Sequence, residues 1–346
     1  MFVMTTKENI INHLNEHNNI THDFLKSNSL LSLGEYFGFD DICYKNQNKL
    51  NYLYNQKILC SLVKELNDRK IGYIVFKGIC LAEMLYDNPV DRKVGDIDLY
   101  VEYDNHCRVI KTLNRLGINK ENENECEYDH HIVLTNSKAL IELHKNILNP
   151  CINIDETYLK NNTSVVYINK TPIVTFSLTA MILHLIYHLY MDSWFLAGSL
   201  YNIYATKTVL KAGRFLYRAY EIALYSEKYF KEINWNDVEE DIRHQKLCLV
   251  FKKMMRDILE IFPNAFPDSF AQMILQLEYV DDERGKLFQY LIQSDINGDD
   301  KNIDYVLSNY INYNWKNVRK KISIKKQLGK QTKWDVPQLK AHPFKK

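Results

Sequence analysis

Two aspartates two residues apart, Asp96 and Asp98, stand in an apolar run, and this pattern restricts how the chain can fold. A β-strand turns successive side chains to opposite faces, so the aspartates share one face while Ile97, Leu99 and Val101 share the other. The apolar face can be buried, whereas the acidic face needs a positive partner before it can leave water. Mg²⁺ is such a partner, because it is bound by one or two carboxylates together with substrate phosphates. The strand therefore predicts a metal-assisted site.

Length and composition limit the class of protein. With 346 residues, 46% of them apolar, the chain can bury the core of one elaborated domain or of two domains. Its longest apolar run, residues 178–191, is too short to cross a bilayer, so no membrane insertion is expected. Seven scattered cysteines without a close Cys-x-x-Cys pair favour a reducing compartment over a disulfide framework. These features predict a cytoplasmic protein.

Hydrophobic periodicity divides the chain into segments. Residues 1–70 are predicted to form a helical N-terminal cap, residues 71–175 a small α/β core with a mixed sheet, and residues 176–322 a helical C-terminal domain. The fold class expected is therefore α+β. Residues 323–346 form a basic tail, and from Lys316 to the end there are eleven Lys or Arg against one acidic residue. Such a tail can bind nucleic acid, but a solvated, poorly ordered terminus is the preferred interpretation.

Two hairpins are expected within the core. Residues 128–134 and 138–143 alternate as strands do, and Asn136-Ser137 between them is typical of a tight turn. A second hairpin is expected around Asn169-Lys170, after which the pattern becomes helical.

A third carboxylate follows from the first hairpin. Glu142 shares its strand face with Leu140 and His144. If this strand pairs beside the strand of Asp96 and Asp98, three carboxylates converge on one surface. Such a set can hold two Mg²⁺ ions about 3.5–4 Å apart, the arrangement that clamps the attacking and leaving oxygens in phosphoryl transfer. His144 is expected to contact substrate or metal, or else to orient Glu142 through a hydrogen bond.

Basic residues and a glycine stand where phosphates could be bound. A short buried strand ending at Phe76 continues through Lys77-Gly78 into a helix. Gly78 permits a close backbone approach, and the N-terminus of the helix favours an anion. Lys77 could add a point charge, and Arg92 with Lys93 could reach phosphate oxygens from the loop before the acidic strand. The alternative is that Lys77 is a surface residue and Gly78 only a turn residue.

Other histidines and one acidic segment favour structural roles. His184 and His188 lie four residues apart on an apolar helix, a spacing compatible with zinc, but Leu185 stands where a metalloprotease has glutamate. Core or cleft histidines, with the nucleotide as one possible neighbour, are the preferred interpretation. His130-His131 opens a strand and is interpreted as structural. Residues 295–300 are faintly similar to a calcium loop but lack the carboxylate at its twelfth position, so they are interpreted as a turn.

The run from residue 76 to 101 resembles the signature of the uncharacterised bacterial nucleotidyltransferases of the DNA polymerase beta-like superfamily. The similar positions are Phe76-Lys77-Gly78, Leu81, Leu85-Tyr86, Pro89, Arg92, Gly95-Asp96-Ile97-Asp98-Leu99 and Val101. Downstream, the resemblance continues over Ile141-Glu142-Leu143-His144, His184, His188 and Glu221, where an aspartate is usual. It covers about residues 50–225. One departure is Lys77-Gly78, since members with well-defined activities usually have Gly-Ser or Gly-Gly there.

This resemblance implies a nucleotidyltransferase fold and an enzyme dependent on Mg²⁺, with Mn²⁺ as the alternative ion. It would transfer a nucleotidyl group from an NTP, ATP before others, to an acceptor hydroxyl or phosphate on a small molecule, an RNA or a protein. The implied catalytic and metal-binding residues are Asp96, Asp98 and Glu142, and the implied nucleotide-binding residues are Lys77, Gly78, Arg92, Lys93 and His144. Two alternatives stay open. One is a catalytically weak nucleotide-binding or regulatory partner in a toxin–antitoxin or peptide-modification system. The other is a related transferase that acts on phosphorylated head groups or sugars.

Overall fold

A computed structural model places the acidic strand inside a mixed sheet. The strands are β1 (Ile74–Phe76), β2 (Ile97–Tyr100), β3 (Asn119–Lys120), β4 (His131–Thr135) and β5 (Leu140–His144). Their order is β1-β2-β5-β4-β3. Two further strands, β6 (Thr163–Ile168) and β7 (Thr171–Phe176), form a separate antiparallel hairpin. The structure describes residues 4–17, 20–27, 29–120, 131–136, 138–148, 154–195, 215–247 and 249–279.

Helices precede, interrupt and follow the sheet, which confirms the α+β class. They are α1 (Thr6–His17), α2 (His22–Ser27), α3 (Ile42–Asp68), α4 (Gly78–Leu85), α5 (His106–Arg115), α6 (Thr157–Asn161), α7 (Leu178–Phe195), α8 (Phe215–Tyr229), α9 (Trp235–His244), α10 (Leu249–Ile261) and α11 (Asp268–Gln276). Short 3₁₀ turns cover Leu31–Phe37, Pro89–Asp91 and Tyr103–Asn105. Across the described residues, none of the helices is both long and apolar enough to cross a membrane.

Strand β2 lies between β1 and β5, and its pairing sets the position of the acidic residues. It runs antiparallel to β1 and parallel to β5, with Asp98 directly beside Glu142. Side chains at paired positions of neighbouring strands project from the same face of a sheet. The flanking residues Ile97, Leu99 and Leu143 are fully buried on the opposite face. The predicted pairing of the two strands is therefore confirmed.

Two hydrophobic clusters cover the two faces of the sheet. Leu62 and Leu66 of α3 belong to one cluster with Leu99 and Leu143 of the sheet. A larger cluster contains Phe76 on the acidic face together with apolar residues of α7 and α8. Helix α3, in the segment expected to be a cap, thus shares its core with the sheet. The acidic face is enclosed by the C-terminal helices, and the domain boundaries at residues 70, 175 and 322 stay predictions.

The two predicted hairpins differ in their turns. Asn169 and Lys170 both have positive φ, 47° and 64°, the conformation of the two-residue turn that suits a twisted hairpin, so this prediction is confirmed. The β4–β5 connection is longer than the predicted Asn136-Ser137 turn, because Thr135 pairs with Leu140 across residues 136–139. The Asn136 side chain stabilises this wider loop by accepting hydrogen bonds from the backbone N–H groups of residues 138 and 139.

Several predictions concern segments outside the described residues. These are the turn at 295–300, His130, the helical stretch beyond residue 279 and the basic tail.

Candidate active site

The turn between β1 and α4 contains Lys77 and Gly78. It packs against the backbone of Asp96, in the loop before β2 that we call the acidic loop. Lys77 has φ 54° and ψ −142°, a conformation that is costly for a residue with a Cβ. Gly78 has φ 31°, and a Cβ added to it would lie 2.9 Å from the backbone oxygen of Asp96. Only glycine fits that approach without displacing Asp96. Besides the predicted phosphate turn, Gly78 therefore has a packing role that the motif alone did not indicate.

Asp96, Asp98 and Glu142 lie together on the acidic face. Asp98 and Glu142 are register partners on β2 and β5, and Asp96 immediately precedes β2. Burial, reinforced by the negative charges of Asp98 and Glu142, raises the pKa of Asp96 to about 6. The negative charges of Asp98 and Glu142 act on Asp96, so a cation bound among these carboxylates would be stabilised.

The carboxylate of Asp98 is contacted by two nitrogens. Its Oδ1 lies 2.9 Å from Lys77 Nζ and 3.0 Å from His144 Nε2. Burial alone would raise the pKa of Asp98, but Lys77 and His144 outweigh burial and hold it below its usual value. Conversely, hydrogen bonds to Asp98 and Glu142 raise the pKa of His144 against the effect of its burial. Lys77, predicted to bind phosphate, and His144, predicted to contact substrate or metal or to orient Glu142, are thus both in direct contact with Asp98.

His131 also lies in this group of side chains. Its interpretation as a structural residue did not predict that it would lie beside Glu142 and His144. It lies opposite His144 in the β4–β5 ladder, and its Nε2 is 3.7 Å from Glu142 Oε1. Burial lowers the pKa of His131 to about 4, despite the opposing charge of Glu142. Burial would raise the pKa of Glu142, but the His144 hydrogen bond together with the charges of His131 and Lys77 outweighs burial and lowers this pKa. A two-residue turn would place His131 opposite Glu142; only the longer loop aligns it with His144.

Arg92 lies at the cavity but directs its guanidinium to the protein. Its Nε and Nη2 donate to the two carboxylate oxygens of Glu221 on α8 at 2.6 and 3.0 Å, and Nη1 donates to the backbone oxygen of Gly78 at 2.9 Å. Tyr217 donates a further hydrogen bond to Glu221. These hydrogen bonds connect the loop before β2, which contains Arg92, to helix α8 and to the turn at Gly78. The exposed Lys93 retains the position expected of a phosphate contact.

His184 and His188 pack above Lys77 from helix α7. His188 Nε2 lies 3.1 Å from Lys77 Nζ, and Arg218 of α8 also contacts the His188 ring. His184 lies against the rings of Phe76 and Phe176, and neither of its ring nitrogens has a hydrogen-bond partner among the residues that the structure describes. Burial, followed by nearby cations, lowers the pKa of both histidines well below the ordinary value. They are neutral groups at physiological pH, His184 in the core and His188 at the cleft.

A cavity of about 180 Å³ opens between the acidic face and the helices. From the core it is lined by Lys77, Gly78, Arg92, Lys93, Gly95, Asp96 and Asp98, and from α7 and α8 by Leu185, His188, Tyr217, Arg218, Glu221 and Ile222. The volume is below the 300–1,000 Å³ typical of pockets for whole drug-sized ligands. It suits a charged phosphate segment better than a complete nucleotide.

The donor set fits a hard divalent cation. Carboxylate oxygens are the ligands that Mg²⁺ and Mn²⁺ prefer, and Asp96, Asp98 and Glu142 supply them beside the cavity. Burial and the charges of Asp98 and Glu142 raise the pKa of Asp96, and a bound cation would offset both effects.

Comparisons with known proteins agree with this geometry. A sequence model of the family described as "Uncharacterised nucleotidyltransferase" matches residues 43–262, more than half of the chain. Among solved structures, the chain is similar to the antibiotic-resistance factor ANT(2'')-Ia, with 12% identity, a TM-score of 0.32, and coverage of 56% of this chain and 99% of that one. It is also similar to an antigenic nucleotidyltransferase-like protein from Paracoccidioides brasiliensis, with 12% identity, a TM-score of 0.35, and coverage of 65% and 93%. A search of curated proteins gave no match. Because both TM-scores are below 0.5, the assignment rests on the family match: the chain belongs to the family of uncharacterised nucleotidyltransferases.

Proposed function

We propose that the protein is a Mg²⁺-dependent nucleotidyltransferase that moves an NMP group from an NTP to an acceptor hydroxyl or phosphate. The observation that carries this proposal is the pairing of Asp98 with Glu142 on adjacent parallel strands, with Asp96 beside them at the cavity. ATP is the first nucleotide to test and Mn²⁺ the alternative ion. The acceptor, whether a small molecule, an RNA or a protein, is left open.

In the proposed reaction, an acceptor oxygen attacks the α-phosphorus of the NTP. The bond from that phosphorus to the bridging oxygen breaks, and pyrophosphate leaves with the electron pair. When the acceptor is a hydroxyl, its proton passes to Glu142, which is 24% exposed on the acidic face. Bound divalent ions supply charge neutralisation at the attacking and leaving oxygens. The chain contributes the positions of the carboxylates that hold these ions.

The phosphate side of the proposal rests on the turn between β1 and α4. Lys77, Gly78 and Leu81 line the cavity where α4 begins, and Lys93 lines it as well. A triphosphate bound there would compete with Asp98 for the Lys77 ammonium. Arg92 has a positioning role, because its guanidinium is bound to Glu221 and to Gly78. His144 would orient Asp98 and Glu142 through its Nε2.

The test is incubation of the full chain with each α-labelled NTP, Mg²⁺ or Mn²⁺ and a cell extract that supplies acceptors. Asp98→Asn is expected to abolish transfer of the label while leaving the far-ultraviolet circular dichroism unchanged. Asp104→Asn is the matched control, since Asp104 is exposed in the turn after β2. Retained transfer by folded Asp98→Asn would contradict the proposal.

One observation favours a second candidate, a nucleotide-binding or regulatory protein with weak catalysis. The Lys77 ammonium is bound to Asp98, the carboxylate that should receive the ion. Under this candidate, Mg²⁺-dependent NTP binding would be measurable by calorimetry, but no labelled product would form with any acceptor. A related transferase acting on phosphorylated head groups or sugars would instead be identified by the chemistry of the labelled product.

A further inference from the structure

Three side chains on the acidic face form a second group, which adds His131 to the Glu142 and His144 already assigned to nucleotidyl transfer. His131 begins β4, and Glu142 and His144 lie on β5. His131 is the register partner of His144, and Glu142 lies two positions before His144, so all three project from the same face. One possible ligand atom from each lies within 4.8 Å of the other two.

The distances match those between ligands of one metal ion. Glu142 directs Oε1 toward His131 Nε2 at 3.7 Å and Oε2 toward His144 Nε2 at 3.6 Å. Ligands about 2.1 Å from a tetrahedral ion lie roughly 3.4 Å apart. These two contacts use different oxygens of Glu142, and the ligand atoms of the three residues lie within 4.8 Å of one another. Contraction of the group onto an ion would complete three corners of a tetrahedron and leave the fourth for water or substrate.

The orientation of His144 is the second observation that points to a cation. Its Nδ1 lies 3.3 Å from the backbone oxygen of Asn146, which can only accept, so Nδ1 carries the hydrogen. Its Nε2 faces the carboxylates of Asp98 and Glu142, which only accept, so this nitrogen carries a proton or, in its place, binds a metal ion. An Nδ1–H donated to a carbonyl is the usual arrangement behind a metal-bound imidazole.

We propose that His131, Glu142 and His144 bind a transition-metal ion of the Zn²⁺ class, adjacent to the carboxylates assigned to Mg²⁺. Two imidazoles and one carboxylate suit Zn²⁺ or Co²⁺, whereas Mg²⁺ prefers oxygen ligands only. His131 and Glu142 are 23% and 24% exposed, which gives the ion a path from solvent. Glu142 is shared between the two sites, so an ion bound between the histidines competes with Mg²⁺ for this carboxylate.

The experiment uses Co²⁺ as a spectroscopic probe on the full-length protein after treatment with a chelator. Tetrahedral Co²⁺ absorbs visible light strongly and octahedral Co²⁺ weakly, while binding to cysteine thiolates adds a near-ultraviolet charge-transfer band. We expect a tetrahedral spectrum without the thiolate band, which Zn²⁺ abolishes and excess Mg²⁺ leaves in place. An octahedral spectrum or a thiolate band would overturn the assignment.

Variants identify the ligands. His131→Gln is expected to weaken Zn²⁺ binding at least about tenfold and to remove the increase in melting temperature that Zn²⁺ gives the parent protein. His144→Gln is the second variant, and circular dichroism checks that each is folded. His244→Gln, a change at an exposed histidine on α9, should bind Zn²⁺ like the parent. Unchanged Zn²⁺ affinity in a folded His131→Gln or His144→Gln protein would refute the site.

This result is separable from the test of the proposed function, because metal binding is measured without NTP. Co²⁺ binding that depends on the histidines, without any nucleotidyl transfer, would support the zinc site and contradict the proposed nucleotidyltransferase activity. Nucleotidyl transfer with Mg²⁺, in a protein whose Co²⁺ binding is unchanged by substitution of His131 and His144, would support the enzyme and contradict the zinc site.

Discussion

Lys77 and Asp98 are joined by an ion pair of 2.9 Å, although one belongs to the turn proposed for phosphate and the other to the strand proposed for metal. Asp98 is almost completely buried, so the ammonium is a close competitor of any cation that approaches it. The free protein therefore holds a positive charge at its acidic strand before any ligand arrives.

Replacing Lys77 with Met is expected to separate two effects of this ion pair. Mg²⁺ affinity without nucleotide should rise roughly tenfold, the scale on which an opposite charge at this distance shifts proton affinity. NTP affinity should fall, because the triphosphate loses a cationic partner. Calorimetric titrations with Mg²⁺ and with NTP measure both. Lys93→Met, which removes an exposed charge at the same cavity, should leave the Mg²⁺ affinity unchanged; an equal rise there would contradict the explanation.

Gly78→Ala should disturb the acidic loop through contact and backbone strain together. The new Cβ would meet the Asp96 carbonyl at 2.9 Å, and φ is positive at this position. We expect a loss of about 1–3 kcal/mol in the free energy of unfolding, measured by urea denaturation. Gly95→Ala is the control, because nothing lies within 4 Å of an added Cβ there. Equal losses in the two variants would show that the close approach at Gly78 is unimportant.

Arg92→Ala is expected to be strongly destabilising. The change leaves the carboxylate of Glu221, 4% exposed, without its bidentate partner, and breaking a buried ion pair in this way costs about 3–5 kcal/mol. Arg69→Ala is the control: it removes a half-exposed pair with Glu65 one turn apart on α3, worth less than about 1 kcal/mol. Glu221→Asp keeps the charge and should cost less than Arg92→Ala. Similar urea midpoints for Arg92→Ala and Arg69→Ala would argue against the structural role of Arg92.

The pKa of Asp96 predicts how the stability of the metal-free protein depends on pH. Burial and the adjacent carboxylates raise this pKa from 3.8 to about 6, so between these values the folded state holds more protons than the unfolded chain. The contribution of Asp96 to stability is therefore fully present below pH 3.8 and is lost as the pH rises to about 6. Asp96→Asn should make the decline across this window shallower by on the order of 3 kcal/mol. Urea denaturation at several pH values, with Asp104→Asn as the control, measures the difference; parallel curves for all three proteins would contradict it.

Local pattern was sufficient for the central part of the fold. The alternation around Asp98 predicts which face of β2 is buried, and Asn169-Lys170 predicts a hairpin turn, because both depend on a few consecutive residues. The convergence of Asp98 with Glu142 also follows from strand faces once the two strands pair. In these cases the alternation of side chains along each strand predicts which of them share a face of the sheet.

The remaining contacts in the site join residues that are far apart in the sequence, and local sequence patterns do not predict such contacts. Arg92 meets Glu221 after 129 residues, and Lys77 meets His188 after 111, through the packing of α7 and α8 on the sheet. His131 lies opposite His144, and not opposite Glu142, because the β4–β5 loop is two residues longer than a tight turn. A change in loop length alters the register, and the register decides which side chains meet.

The contact between Gly78 and the Asp96 carbonyl also has a thermodynamic consequence. The turn and the acidic loop are packed too closely to move independently, so a ligand that shifts one also shifts the other. If a nucleotide binds the turn and an ion binds the loop, each then changes the affinity of the other by the same factor, since linkage is reciprocal. With both proposed sites occupied in this way, the close approach at one glycine would make nucleotide binding and ion binding a single cooperative equilibrium.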